Sequence, residues 1–260
     1  MDLGLTGDVA VVVGGASGLG HAIAAGFVNE GAHVVLLDVS PNVHAAAASF
    51  ARSAAHVADV TDYAAVKAVA AGLERVDHVV FAAGVGSGKF GFPFWNLDPT
   101  DWDRVLRVNL IGAANVAHAF APRMAAARKG TLLFLASVAG QIGSQTDPPY
   151  SASKAGLINF AQCAAKDLAP FGVRVNALCP GMVKTPLNRS VWQAWADAQP
   201  AELRQDYEAW AAEKIAKVVP LNRWQTPEDV AAMAVFLASP RAANITGQTV
   251  NVDGGFVMHW

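Results

Sequence analysis

Along the whole chain, short β-branched and apolar runs alternate with Ala-rich stretches of helical length, and this alternation leaves few folds open. Strands are expected over 9–13, 34–37, 56–58, 78–82, 131–136, 173–178 and 249–252, with helices over 19–30, 42–52 and 63–72 between the first of them. Strands separated by helices run parallel, and a parallel sheet needs helices on both faces. The expected fold class is therefore α/β: a single doubly wound domain over 1–260 with a seven-stranded parallel sheet. Composition permits it, since 53% of the 260 residues are hydrophobic and 15% charged, enough for a sizeable core. One stretch breaks the alternation. Residues 186–223 hold Trp192, Trp195, Tyr207 and Trp210 among many charges, and are expected to form a helical lid over the sheet's edge.

Such a sheet binds ligands beyond the carboxyl ends of its strands, near the point where strand order reverses. The motifs fall there. Val13-Gly14-Gly15-Ala16-Ser17-Gly18-Leu19-Gly20 joins the first strand to the first helix. A glycine-rich turn in that place lets backbone N–H groups approach a pyrophosphate at the helix's positive end, so Gly14, Ser17, Gly18, Leu19 and Gly20 are candidate cofactor contacts. Asp38 closes the second strand, with no Arg beside it. A carboxylate there accepts hydrogen bonds from the adenosine ribose hydroxyls and repels a 2′-phosphate, which points to NAD rather than NADP. Asp59, followed by Val60, is placed to reach the adenine amino group or to serve as a turn residue. Ala83 and Gly84 follow the fourth strand, and Ser137 the fifth.

Tyr150 and Lys154 are four residues apart, so on a helix they share a face. A phenol with a pKa near 10 is mostly the wrong species for accepting a proton at neutral pH, and a neighbouring cation favours the phenolate. The expected chemistry is proton transfer coupled to hydride transfer.

These motifs, in this order, resemble the short-chain dehydrogenase/reductase family in its compact form, one Rossmann domain per subunit. The resemblance runs from Gly7 to the C-terminus. It rests on Gly14-x-x-x-Gly18-x-Gly20, Asp59-Val60, Ala83-Gly84, Val108-Asn109-Leu110, Ser137, Tyr150-x-x-x-Lys154, Asn176, Pro180-Gly181-x-x-x-Thr185 and Asn251-Val252-Asp253-Gly254-Gly255. It implies Tyr150 as general acid/base, Lys154 lowering its pKa and holding the nicotinamide ribose, Ser137 orienting the substrate oxygen, and Asn109 positioning a relay water. Pro180, Gly181, Val183 and Thr185 would line the nicotinamide end. A homotetramer is implied as well, through helices near 101–121 and 151–169 that are apolar on more than one face. Val13 and Ala82 stand where the family usually has Thr and Asn. Losing two polar groups together leaves fewer unpaired buried donors than losing one, so altered packing is expected, with catalysis intact.

Formal net charge is −2, with no Lys/Arg run, which disfavours nucleic acid and anionic membrane as partners. The first residues lack the pattern of a signal peptide and no apolar run approaches the roughly 18 residues of a membrane span, so a cytoplasmic protein is expected. Cys163 and Cys179 have no CxxC spacing and read as buried free thiols; the seven histidines form no HxxxH or HExxH pair, and no catalytic metal is expected. The reaction expected is interconversion of a secondary alcohol and a ketone with NAD. Trp95 and Trp192 are candidate pocket walls, while Gln141, Ser144 and Gln145 offer hydroxyl-binding groups that favour a polyol or sugar. The alternatives are a hydrophobic cyclic or aryl alcohol, an NADPH-dependent ketone reductase, and a non-catalytic NAD sensor, against which Ser137, Tyr150 and Lys154 all speak. The apolar end, 256–260, is a candidate contact with a neighbouring subunit.

Overall fold

A computed structural model describes residues 2–144 and 146–258, so Gln145 and the last two residues of the apolar C-terminus lie outside the described residues. In chain order the elements are β1 (Val9–Val13), α1 (Gly18–Asn29), β2 (His33–Asp38), α2 (Val43–Ala48), β3 (Ser53–Val57), α3 (Tyr63–Gly72) and β4 (His78–Phe81). There follow α4 (Thr100–Leu106), α5 (Gly112–Ala127), β5 (Gly130–Leu135), α6 (Pro148–Leu168), β6 (Val173–Pro180), α7 (Pro186–Asp197), α8 (Tyr207–Val218), α9 (Pro227–Ala238) and β7 (Thr249–Val252). The seven strands form one sheet in the order β3-β2-β1-β4-β5-β6-β7, every pair parallel. Strand order reverses between β1 and β4, as the motif positions require.

Period-two side-chain direction explains why the strands read as unbroken apolar runs. Val11, Val13, Val79, Phe81, Leu132 and Phe134 face one layer, closed by α3, α5 and α6. Val12, Leu36, Val80, Leu133 and Leu135 face the other, closed by α1 and α9. Local signals start the helices. Asp147 caps α6 ahead of Pro148, and Thr226 with Asp229 forms a capping box ahead of Pro227 at α9.

Cys179 is buried as expected but Cys163 is exposed, on a face of α6 turned away from the core, and two boundaries also differ from expectation. β3 is Ser53–Val57 instead of 56–58: it is the outermost strand, with Val57 half exposed, so its small, exposed first residues Ser53 and Ala54 carry no core signal. α2 stops at Ala48, not 52, because the Ser49 and Ser53 hydroxyls donate to the carbonyls of Ala46 and Ala47 at 2.6 Å each. Among the described residues, no helix is long and apolar enough to cross a membrane.

At the amino ends of the central strands, away from the motif-bearing ends, charges are gathered into one network. Asp8 accepts from Arg75 Nη2 at 2.7 Å and Lys129 Nζ at 3.1 Å, and sits 3.1 Å from Nε2 of buried His78, whose Nδ1 lies 2.8 Å from Thr131 Oγ1. Asp77 joins through Arg75, Lys129 and the Val9 amide. Burial pushes the Asp8 carboxyl up, but hydrogen bonds and charge from His78 and Lys129 overcome it and bring the pKa down to about 2. A depressed carboxyl stabilises the fold above its unfolded pKa near 3.8 and loses that contribution as pH falls toward 2. Chemical denaturation at pH 6 and pH 2.5 should therefore show an acid loss in the wild type about 1 kcal/mol larger than in Asp8→Asn, the linkage value discounted for solvent screening. Equal acid losses in the two proteins would refute the network's contribution.

Candidate active site

The turn after β1 is folded tightly enough to present backbone to a ligand. Gly14 has φ +84°, and a Cβ there would lie 2.6 Å from the Ala83 amide nitrogen; a Cβ on Gly20 would run into the Gly14 carbonyl oxygen. The amides of Gly14 and Ala82 are satisfied by Leu37 O at 2.7 Å and Val13 O at 2.8 Å. Val13 is fully buried among apolar neighbours. Helix α1 begins at Ser17 without a side-chain cap and without an acidic residue in its first turn. Its amino end is thus left for an anion, and these residues fit the pyrophosphate of a dinucleotide.

Asp38 Oδ2 accepts the Ala16 amide at 3.1 Å and Oδ1 the Ser40 amide at 2.9 Å. The carboxylate is therefore fixed beside the turn with lone pairs to spare. No Lys or Arg occurs between residues 39 and 51. Asp59 lies two residues beyond β3, exposed, with Oδ1 holding both the amide and the hydroxyl of Thr61 at 2.8 Å. Val60 is buried, and its carbonyl accepts from Asn115 Nδ2 at 2.9 Å.

Asn109 sits in a π-helical turn, Arg107–Ile111, between α4 and α5, which turns its side chain inward. Its Oδ1 accepts the Val85 amide at 2.8 Å, while Nδ2 donates to Val85 O at 2.9 Å and Ser153 Oγ at 3.0 Å. The side chain is wholly buried and ties the loop after β4 to α6. Lys154, 3% exposed, donates from Nζ to Leu135 O at 2.7 Å, and Nζ stands 5.5 Å from the centre of the Tyr150 ring. Gly84 faces this ammonium: a Cβ there would be 3.4 Å from Nζ. Tyr150 lies beside Ser137 on the wall of one cavity, and Ser137 Oγ accepts the Ala139 amide at 3.1 Å.

Electrostatics here run against the expectation from Tyr/Lys spacing alone. Burial pushes the Tyr150 phenol up to about 12, the neighbouring Ser137 hydroxyl pulls it back only in part, and the nearby Asp147 charge raises it further. Burial also pushes Lys154 down to about 8. Desolvation moves each pKa toward the neutral form, although Lys154 remains an ammonium at neutral pH.

Tyr150 and Ser137 line a cavity of about 650 Å³. It runs from Leu19 past Pro180, Gly181, Val183 and Thr185 to the helices of the 186–223 excursion. Thr185 caps α7 by accepting the Asn188 amide at 3.2 Å, and Gly181 donates its amide to Val252 O at 3.0 Å. A Cβ on Gly181 would lie 2.7 Å from Gln225 Oε1. Phe256 also lines the cavity and packs on the core.

Four sequence candidates for substrate contacts lie elsewhere or outside the described residues. Trp95 is 71% exposed and packs edge-on against Phe94. Trp192 turns into a small core of its own with Tyr207, Trp210 and Trp224, its Nε1 donating to Gln205 O at 3.2 Å. Gln141 exchanges two hydrogen bonds with Asn251 at 2.6 and 3.1 Å. Gln145 is not among the described residues. Ser144 does line the cavity. Sequence reasoning missed Asp147, a buried carboxylate on the cavity wall whose Oδ2 accepts the Ser87 amide at 2.8 Å and whose pKa burial raises. Its signal was the Asp-Pro pair that opens the helix of Tyr150. Among the described residues, no three metal-ligating side chains come together.

Comparison with known proteins adds to this geometry. The family model described as enoyl-(acyl carrier protein) reductase matches residues 14–257. A 3-oxoacyl-(acyl-carrier-protein) reductase of Thermotoga maritima is 33% identical over 98% of this chain and 99% of its own. A D-threitol dehydrogenase of Mycolicibacterium smegmatis is 34% identical over 99% of this chain and 95% of its own. The crystal structure of L-sorbose reductase from Gluconobacter frateurii, complexed with NADPH and L-sorbose, superposes with a TM-score of 0.89 at 30% identity, covering 100% of both chains. The family model and these relatives span nearly the whole chain, and the chain belongs to the short-chain dehydrogenase/reductase family of oxidoreductases.

Proposed function

We propose that this protein is an NAD-dependent dehydrogenase that interconverts a secondary alcohol and a ketone on a polyol or sugar. The observation that carries the proposal is Tyr150 beside Ser137 on the wall of one cavity, with the Lys154 ammonium 5.5 Å from its ring centre. When bound, the nicotinamide supplies or accepts the hydride. Ser137 holds the substrate oxygen, and Tyr150 gives a proton to it in reduction or takes one in oxidation. Lys154, anchored on Leu135 O, favours the phenolate when oxidation demands it and meets the ribose side of the cofactor. Asn109 keeps the loop after β4 against α6, and through that contact orders the proton path. Gly14, Ser17, Gly18, Leu19, Gly20, Ala83 and Gly84 would hold the dinucleotide, Asp59 and Val60 its adenine, and Pro180, Gly181, Val183 and Thr185 its nicotinamide end. We read the chain as one domain, with α7 and α8 as a substrate lid. A homotetramer belongs to the same reading, supported by exposed Ile111 and Phe171 beside α5 and α6.

Relatives named for threitol and sorbose support a polyol or sugar. The sorbose reductase carries NADPH, so the cofactor assignment rests on Asp38. Its carboxylate, fixed beside the glycine turn with no cation near in sequence, favours ribose hydroxyls over a 2′-phosphate. Replacing it by Ala should lower the ratio of kcat/KM for NAD over NADP by about tenfold or more, the value of a charged hydrogen bond. A wild-type preference for NADP, read in the same assay, would overturn the assignment.

Tyr150→Phe should reduce kcat by about a thousandfold in both directions while the dissociation constant for NAD changes little. A phenol held near 12 is protonated through the neutral range and its ionised fraction grows with pH. For the wild type, kcat/KM of alcohol oxidation should climb about tenfold per pH unit from pH 6.5, shallowing above about pH 8 where Lys154 gives up its proton, while ketone reduction stays flat. A flat oxidation profile would remove Tyr150 from the role of base.

A further inference from the structure

Asp147 and Tyr150 are three residues apart at the start of α6, so they share a face of the helix, and both line the cavity. Side chains so spaced have Cβ atoms about 5–6 Å apart. Asp147 is held from two directions. Its Oδ2 accepts the Ser87 amide at 2.8 Å, and Gly86, also on the cavity, makes room for that contact, since a Cβ there would lie 2.7 Å from Oδ2. Its Oδ1 accepts the Tyr150 amide at 3.5 Å, the outer limit of a hydrogen bond. A carboxylate has about four lone-pair sites, so two backbone donors leave about half of them open. Among the described residues, no Lys, Arg or His nitrogen lies within 4 Å of this carboxylate. Burial raises its pKa, and only hydrogen bonds from Ser87 and Tyr150 oppose the rise. The other charges on the cavity, Glu213, Lys214 and Lys217, all belong to α8, where Glu213 accepts from Gln205 Nε2 at 2.9 Å. Other polar groups of the wall are engaged: Thr185 caps α7, and Asn188 Oδ1 accepts the Tyr207 hydroxyl at 2.8 Å. A carboxylate so buried is short of donors.

We infer that Asp147 determines specificity by accepting a hydrogen bond from a substrate hydroxyl on the carbon next to the reacting one, or on the carbon after it. The inference deepens the dehydrogenase reading and rests on it for the reacting carbon. Ser137 and Tyr150 hold the reacting oxygen, and a second hydroxyl donated to Asp147 fixes a second point of the chain and so sets which carbon meets the nicotinamide. That bond is charge-assisted. A substrate lacking the hydroxyl leaves a buried carboxylate short of a partner, and a site built in this way rejects the analogue strongly. An ionised carboxylate only accepts, so a hydroxyl serves there and its methyl ether does not.

The test takes the full chain with NAD for turnover, and with saturating NADH for binding by calorimetry. Alditols of four to six carbons are compared with counterparts in which one of the two hydroxyls is removed or methylated. At one of the two positions the parent should exceed both counterparts at least about tenfold in kcat/KM. Asp147→Asn keeps an oxygen for the Ser87 amide and offers a donor in place of the second acceptor. It should cut the ratio of parent to deoxy compound about tenfold and bring the methyl ether above the deoxy compound. Asp147→Ser keeps a helix cap and should cut the ratio likewise. A ratio taken within one variant is insensitive to the fraction folded. Variants that slow parent and analogues equally would make Asp147 a helix cap alone and overturn the inference. Turnover of alditols with no dependence on either hydroxyl keeps the dehydrogenase reading and overturns the role of Asp147. Calorimetric selectivity for the parent that disappears in Asp147→Asn, without turnover, keeps that role and overturns the reading. No binding by any of the compounds overturns the role outright.

Discussion

Burial of both faces of one parallel sheet is the constraint on which everything else depends. The strands are apolar on both sides, so helices must cover them twice, and every connection must carry the chain from one end of the sheet to the other. The carboxyl ends of β1, β2, β4, β5 and β6 are thereby brought to one edge. That edge receives the glycine turn, Asp38, Gly84, Ser137 and Pro180, residues spread over more than half of the chain. The opposite edge is closed by the Asp8, Asp77, Arg75 and Lys129 network, so polar chemistry is divided cleanly between the two ends.

The site's electrostatics follow from the same burial. Lys154 and Tyr150 are held in a desolvated wall, and each has its pKa moved toward the neutral form. Two groups so placed are poised: a change in local charge moves a proton more readily than it would between solvated side chains. Asn109, spending its amide on Val85 and Ser153, keeps the wall rigid, and the π turn that presents it departs from regular helix geometry at the point where the chain passes the site.

The 186–223 excursion behaves differently from the sheet. Its aromatics pack on one another, Tyr207 stacking on Trp210 at 6.2 Å and Trp195 tilted against Trp210 at 6.2 Å, and form a satellite core beside the cavity. Trp192 was legible in the sequence as an aromatic near a site, but an aromatic composition does not say which ring faces a ligand and which faces its neighbours. Asp147 shows the opposite case: its local signal is that of a helix cap, and its place on the cavity wall arises from contact with a loop sixty residues away.

The sequence by itself determined the strand and helix alternation, the parallel sheet, the glycine turn, the acidic end of β2 and the Tyr150 and Lys154 pair. These depend on period, spacing and turn chemistry, which are local and survive in a string of letters. The weakest boundaries were those of β3 and α2 at the sheet's open edge, where half-exposed residues carry no apolar pattern. Only the tertiary structure decided that Asn109 would be consumed by Val85 and that burial would lift the Tyr150 phenol. Desolvation and long-range hydrogen bonding depend on which segments are packed together, and no spacing within one segment encodes them.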